Sequence, residues 1–232
     1  MKYNRIIQAK FIKRINRFIA EVDINGYIER VHVKNTGRCK ELFIEGRTIY
    51  LQKSDNPNRK TKYSLISIYK GEKLINIDSQ VPNQVISEAI ESHQIKGFEN
   101  LTYLKREQTY GNSRFDIYYE TTDRKGFIEV KGVTLEKDGI AKFPDAPTTR
   151  GTKHVNELIQ GQNEGYTNYI MLLIQIKEVD FFVPNHVTDP NFANALIEAE
   201  KTGVEIRCYN AIMTEDTIEL NDLIPYSLEL NK

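Results

Sequence analysis

The sequence predicts an α+β protein in two parts: a small, basic β-barrel over residues 1–80, then an α/β domain built on a central mixed sheet over residues 81–232. Three observations predict it. Up to about residue 78, short runs alternate apolar with polar or basic residues between Gly, Asn and Pro turns, as half-buried antiparallel strands do. After residue 80, helix-period and strand-period segments alternate, which calls for helices layered on a sheet. The third observation is electrical. Residues 1–75 hold 17 Lys+Arg against 7 Asp+Glu, and residues 76–232 hold 15 against 25, so a net charge of zero conceals two halves of opposite sign. A basic first third points to a polyanionic partner.

Within the first part, "AKFIKRI", "RFIAEVDI", "YIERVHV" after Asn25-Gly26, "RTIYLQKS", "YSLISIYK" and "LINIDS" read as five or six strands. A small basic antiparallel barrel of this size suggests an OB-like, oligonucleotide-binding fold. Six basic residues (Lys2, Arg5, Lys10, Lys13, Arg14, Arg17) precede residue 18 without one acidic residue. Lys10, Lys13, Arg14 and Arg17 are candidate phosphate contacts, and Phe11, Phe18 and Tyr27 are either core residues or platforms on which bases stack. In "VHVKNTGRCK", His32, Asn35 and Arg38 offer donors around a turn, although an Asn-Thr-Gly turn is also an ordinary strand ending.

The second part opens with a helix in "VPNQVISEAIESHQI", where Pro82 suits a first turn and Val85, Ile86, Ala89 and Ile90 recur at helical spacing. Strand-like "LTYLKREQTY" follows, then a hairpin, "SRFDIYYETTDRKGFIEVKG", and a loop, "GIAKFPDAPTTRGT". A helix is expected from about Thr152, as N-cap, to Gly161. The continuously apolar "NYIMLLIQIK" reads as a strand covered on both faces, "PNFANALIEAEKTG" as a helix stopped by Gly203, and "VEIRCYNAI" as a last strand.

Several classes of protein are excluded. No apolar run approaches the roughly 18 residues a membrane span needs, and charge punctuates the N-terminus where a signal peptide would be apolar, so a cytoplasmic protein without membrane contact is expected. Cys39 and Cys208 lie far apart without CxxC or Cys/His pairing, which indicates free thiols and no zinc site.

The chemistry concentrates in the hairpin. In "FIEVKG", Ile128 and Val130 point to one face and Glu129 and Lys131 to the other. A turn centred on Thr122 and Asp123 would set Asp116 opposite Glu129, their Cβ atoms about 5 Å apart. Two carboxylates opposed on a buried sheet need neutralising, and Mg²⁺ or Mn²⁺ does that while a lysine orients water or stabilises charge on a phosphate oxygen. Asp116, Glu129 and Lys131 are therefore candidate catalytic residues, with Asp116 and Glu129 as metal ligands. A structural ion pair explains the spacing equally well.

With Glu88 on the preceding helix, Asp116…Glu129-x-Lys131 resembles the PD-(D/E)XK nuclease core. That resemblance implies metal ligation by Asp116, Glu129 and Glu88 and a catalytic Lys131, with Phe115 standing where the core usually has proline. Over nearly the whole chain, "HVKNTGRCKEL", "SRFDIYY", "IEVKGVTL" and "FPDAPTTRGTKHVNEL" resemble the sugar fermentation stimulation protein A family. This implies an N-terminal OB-like domain, a nuclease-like C-terminal domain, non-specific DNA binding and a regulatory role in maltose metabolism. Arg150 and Lys153, with His154, Thr148 and Thr149, are placed to hold phosphates at the mouth of the site or simply to begin a helix; Gln162 and Tyr166 carry little weight, and His93 and His186 have no constellation. The expectation is thus a DNA-binding protein with a Mg²⁺- or Mn²⁺-dependent phosphodiesterase site. The alternative is a regulatory DNA-binding protein whose nuclease-like domain is inactive. RNA is not excluded as the partner, since charge and stacking do not choose the sugar.

Overall fold

The computed structural model describes residues 1–35, 37–179 and 181–229. The barrel consists of β1 (Ile6–Asn16), β2 (Ile19–Ile24), β3 (Tyr27–Val33), β4 (Thr48–Lys53) and β5 (Tyr63–Lys70). β1 is long enough to serve two neighbours: Lys10–Asn16 pairs with β2 and Ile6–Lys10 with β4. Bulges at Phe11/Lys13 and Arg14/Asn16 give β1 the extra twist that a closed sheet requires. The parallel pairs His32↔Ser64 and Val33↔Leu65 join β3 to β5 and close the barrel. Phe11, Val22, Val31, Ile49, Leu51 and Leu65 fill it. β6 (Lys73–Asn76) turns back along β5 and leads out toward the second domain.

The C-terminal domain is a six-stranded mixed sheet in the order β15-β14-β12-β9-β8-β7. Its strands are β7 (Leu101–Tyr110), β8 (Ser113–Thr121), β9 (Lys125–Val133), β12 (Tyr169–Ile174), β14 (Glu205–Met213) and β15 (Ile218–Leu223). β9, β12 and β14 run parallel at its centre, and all six residues of β12 are buried, as its unbroken apolar run predicts. One face carries α1 (Val81–Glu91), whose Val85, Ile86, Ala89 and Ile90 share a core with Ile117, Ile128, Val130, Met171 and Leu173. The other carries α2 (Thr149–Asn163) and α3 (Pro190–Thr202), whose Val155, Leu158, Phe192 and Leu196 share a core with Phe115, Phe127, Ile170 and Leu172 that continues into the barrel.

A buried polar seam joins the domains. Asn76 donates to the Gln175 carbonyl (3.0 Å), and Gln175 donates to Asn76 Oδ1 (3.0 Å) and to the Asp78 carbonyl (3.1 Å). The buried Asp78 carboxylate accepts from Lys34 Nζ (2.8 Å) and from the Gln80 amide (3.1 Å). Met1–Tyr3 leave the barrel and lie along β15, with Lys2 bridging Thr217 and the Tyr3 amide donating to Asp216 (2.7 Å).

Three expectations are corrected. α2 begins at Thr149 rather than Thr152, because the earlier threonine caps it: Thr148 Oγ1 accepts from the Gly151 amide (3.0 Å). It also runs through Gly161 to Asn163, and Gly161 is required there, since a Cβ would stand 2.9 Å from Asn168 Nδ2. The segment expected as loop contributes β11 (Ile140–Phe143), which lies between β10 (Leu135–Lys137) and β13 (Phe181–Pro184) in a small separate sheet, and β15 extends the large sheet beyond the expected last strand. Strands of three or four residues are too short to show a period.

A buried carboxylate pair at the end of the β8–β9 hairpin

The hairpin closes as its turn chemistry predicts, with the Thr121 amide donating to the Arg124 carbonyl (2.8 Å) and Ile117 opposite Ile128. Continued one residue, this register sets Asp116 beside Glu129. The ladder stops there, because Val130 N–H donates to Asp116 Oδ2 (2.8 Å) instead of to a strand carbonyl. Asp116 Oδ1 accepts from Asn83 Nδ2 (2.6 Å), on the first turn of α1. Gly132 makes this junction possible: a Cβ there would fall 2.7 Å from Pro82 Cγ and 2.3 Å from Gln175 Oε1.

Glu129 is 2% exposed. Its Oε1 accepts from Lys131 Nζ and from His154 Nδ1 (2.6 Å) on α2, while its Oε2 is buried with no hydrogen-bond partner among the described residues. With Nδ1–H spent on the carboxylate, His154 Nε2 is left as an acceptor, and Arg150 Nε donates to it (3.4 Å). A chain of contacts thus runs Lys131, Glu129, His154, Arg150. Burial, reinforced by the neighbouring Glu129, pushes the Asp116 carboxyl up to about 6. Burial acts the same way on Glu129, yet Lys131 and His154 outweigh it and hold that carboxyl below its usual range. The hairpin end therefore holds one ionised carboxylate, Glu129, and one more readily protonated, Asp116, near enough for the first to raise the second.

Glu88 is not part of this arrangement. Its Oε1 accepts from Gln84 (2.7 Å) and its Oε2 pairs with the Met1 ammonium (3.0 Å), with the side chain 45% exposed. The apolar stripe of α1 must face the sheet, which turns Glu88 toward the chain terminus and brings Asn83 to Asp116 instead. Among the described residues no group of three or more His, Cys, Asp or Glu side chains is arranged to hold a metal ion. A cation here would rest on Asp116 and Glu129, and the unpartnered Glu129 Oε2 provides a buried anionic oxygen free to bind it.

The candidate nucleic-acid residues divide. Arg14 spends its guanidinium on the backbone: Nε donates to Asn16, Nη1 to Gly37 and Arg38, Nη2 to Arg17 and Asn35, and the group stacks 4.6 Å above Phe43. It organises two loops and has no donor left for a phosphate. Arg14→Ala should accordingly cost about 2 kcal/mol of stability in chemical denaturation, and Lys13→Ala clearly less, since Lys13 is an exposed side chain whose ion-pair partner is Glu21 at 3.2 Å. Equal losses would show that Arg14 is only a surface charge. Lys10 donates to Thr48 Oγ1 (2.9 Å), Arg17 lies over the Phe18 ring (4.7 Å), and Arg38 and Tyr27 are exposed. Burial, then Arg59 and Lys34, hold the His32 imidazole below its usual range. Asn35 closes its own turn, accepting from the Gly37 amide (2.7 Å), and lines a cleft of about 320 Å³ with Gly132, Lys142, Thr148 and Gln175 between barrel and site. Thr36 lies outside the described residues. Lys153 donates to the Asn112 carbonyl (2.8 Å) beside Arg150. Cys39 and Cys208 are separate, buried free thiols, as expected. Among the described residues no helix is long and apolar enough to cross a membrane.

Barrel and site define a two-domain protein in which an OB barrel precedes a mixed α/β sheet bearing a buried carboxylate pair. Residues 12–77 match the SfsA N-terminal OB domain and residues 80–217 the sugar fermentation stimulation protein RE domain. The chain is 52% identical to a sugar fermentation stimulation protein homolog of Desulfitobacterium hafniense over 98% of its length and 99% of the relative's, and 53% identical to that of Clostridium beijerinckii over 97% and 98%. It belongs to the sugar fermentation stimulation protein family. Its structure is similar to that of Pyrococcus furiosus SfsA in complex with Ca²⁺, at 30% identity and a TM-score of 0.90, covering 98% of each chain.

Proposed function

We propose that this protein is a Mg²⁺- or Mn²⁺-dependent phosphodiesterase of the PD-(D/E)XK type that holds DNA through its basic barrel. The observation that carries the reading is Glu129 Oε2, a fully buried carboxylate oxygen with no hydrogen-bond donor among the described residues, next to an Asp116 whose ionised form burial and Glu129 disfavour and added positive charge favours. A divalent cation supplies that charge and, when bound, polarises a phosphate oxygen and lowers the pKa of water. The Ca²⁺ in the Pyrococcus furiosus relative supports a hard cation in this fold, and Ca²⁺ takes oxygen ligands of the same kind.

The protein's own groups divide the remaining work. Asn83 and the Val130 amide orient Asp116; His154 holds one oxygen of Glu129 and so presents the other. Lys131, on the same strand face, places an ammonium where a phosphate oxygen gains charge. Lys10, Arg17 and Arg38, with exposed Tyr27 and Phe18, offer charge and stacking surface for the polyanion on the barrel.

The test incubates the full chain with labelled single- and double-stranded DNA and RNA in Mg²⁺, in Mn²⁺ and in chelator. Cleavage in either cation, absent in chelator and reduced at least 100-fold by Asp116→Ala, is the expected result. Binding without cleavage of any substrate would leave a regulatory DNA-binding protein instead, and preference for RNA would replace DNA as the substrate.

A further inference from the structure

Beside the carboxylate pair, a second polar recess of about 490 Å³ lies between the β7–β8 turn and the first turn of α2. Its unusual member is Ser113. The residue is 5% exposed, lines the recess, and its hydroxyl has no hydrogen-bond partner among the described residues. A buried hydroxyl without a partner is costly, and the cost is recovered only when a ligand supplies one. Opposite it, the Thr149 and Arg150 amides at the start of the 15-residue α2 have no partners among the described residues, since Thr148 caps only Gly151 and Thr152. The guanidinium of Arg150 donates through Nε to His154, and its two terminal nitrogens are likewise unpartnered. Arg114 lines the recess as well, 60% exposed, with its nearest carboxylate, Glu107, 3.6 Å away. Lys153 completes the rim, though Asn112 and Glu157 (3.6 Å) already engage it.

Unused amides at a helix N-terminus, a fork-shaped guanidinium and an unsatisfied hydroxyl are the donor set that a tetrahedral oxyanion accepts from. We infer that this recess is a phosphate site. Arg150 ties it to the carboxylate pair, because the side chain that would hold the phosphate also buttresses the histidine that orients Glu129. The inference rests on the proposed activity only in placing that phosphate on the strand beside the cleavage site; phosphate binding itself needs no cation. The phosphate is either the terminal group of a strand or an internal diester.

The full chain is tested in chelator, which silences any cation-dependent step. At matched ionic strength, inorganic phosphate at about ten times its Kd should raise Tm by about 3 °C where chloride does not. Ser113→Ala should leave Tm in chloride unchanged or higher, since no existing bond is removed, yet cut the phosphate-induced rise at least by half; Arg150→Gln should do the same to the rise. An equal rise in chloride, or both variants responding like the wild type, overturns the site. Oligonucleotides that differ only in a 5′-phosphate then identify the source: tighter binding of the phosphorylated strand, lost in Ser113→Ala, marks a terminal phosphate, and equal binding weakened by both substitutions marks an internal one. Binding of both strands untouched by either substitution also overturns it. A phosphate response without cleavage in Mg²⁺ or Mn²⁺ removes the proposed activity alone, whereas cleavage without a phosphate response removes this site alone.

Discussion

Asp116→Asn is expected to make the cation-free protein more stable at pH 7, by up to about 3 kcal/mol, and to leave it nearly unchanged at pH 4. The carboxyl titrates near 6 in the folded protein against 3.8 as its ordinary value, raised by burial and by Glu129. Between those values the native state keeps a proton that the unfolded chain has lost, so the wild type loses stability as pH rises from about 4 through about 6 and then levels off. The rise corresponds to about 3 kcal/mol, which an uncharged side chain escapes. Asparagine keeps the geometry: its carbonyl oxygen still accepts from Val130, and Asn83, by turning its amide, accepts where it had donated. Urea denaturation of both proteins from pH 4 to 8 in chelator checks this. A constant gap across that range, or a less stable variant at pH 7, would show that Asp116 is comfortably ionised. Mg²⁺ or Mn²⁺ should stabilise the wild type and not the variant.

Lys131→Met should have the opposite sign. Lys131 is the principal positive charge holding Glu129 ionised, and its loss leaves two carboxylates with His154 as their remaining support. Breaking a buried pair in this way costs about 3 kcal/mol. Where the proposed cleavage is observed, the variant should also cut 100- to 1,000-fold more slowly in single turnover, because the ammonium that faces a developing phosphate charge is gone. Rates are compared well below the variant's Tm, with folding confirmed by circular dichroism. Cleavage within a factor of ten of wild type would reduce Lys131 to a structural counter-ion. One cluster therefore yields a stabilising substitution and a destabilising one, as expected of a site held for a ligand.

What the sequence showed of this site came from short-range regularity. A two-residue turn and a period of two place Asp116 opposite Glu129 with no knowledge of the fold, and a charge count separates barrel from sheet domain. Glu88 shows where that regularity ends. Helical spacing says which residues share a face, but which face meets the sheet, and how far along it, depends on packing, and packing brings Asn83 to Asp116. His154 had a legible sign: with Val155, Leu158 and Gly161 it falls on the buried stripe of α2, where a histidine needs a partner. Its partner, Glu129, lies 25 residues away and could not be read from spacing. Arg14 misled in the reverse direction, since a basic residue in a basic run looks available until the loops it holds are seen to exhaust its donors.

By itself, then, the sequence determined the two-domain order, the basic barrel, the hairpin register and its opposed carboxylates, because local periodicity and turn chemistry act over a few residues. Only the tertiary structure decided which residues complete the site. Asn83, His154 and Arg150 reach it from helices on opposite faces of the sheet, and the burial that lifts Asp116 and strands one oxygen of Glu129 arises when those helices exclude water from the hairpin end.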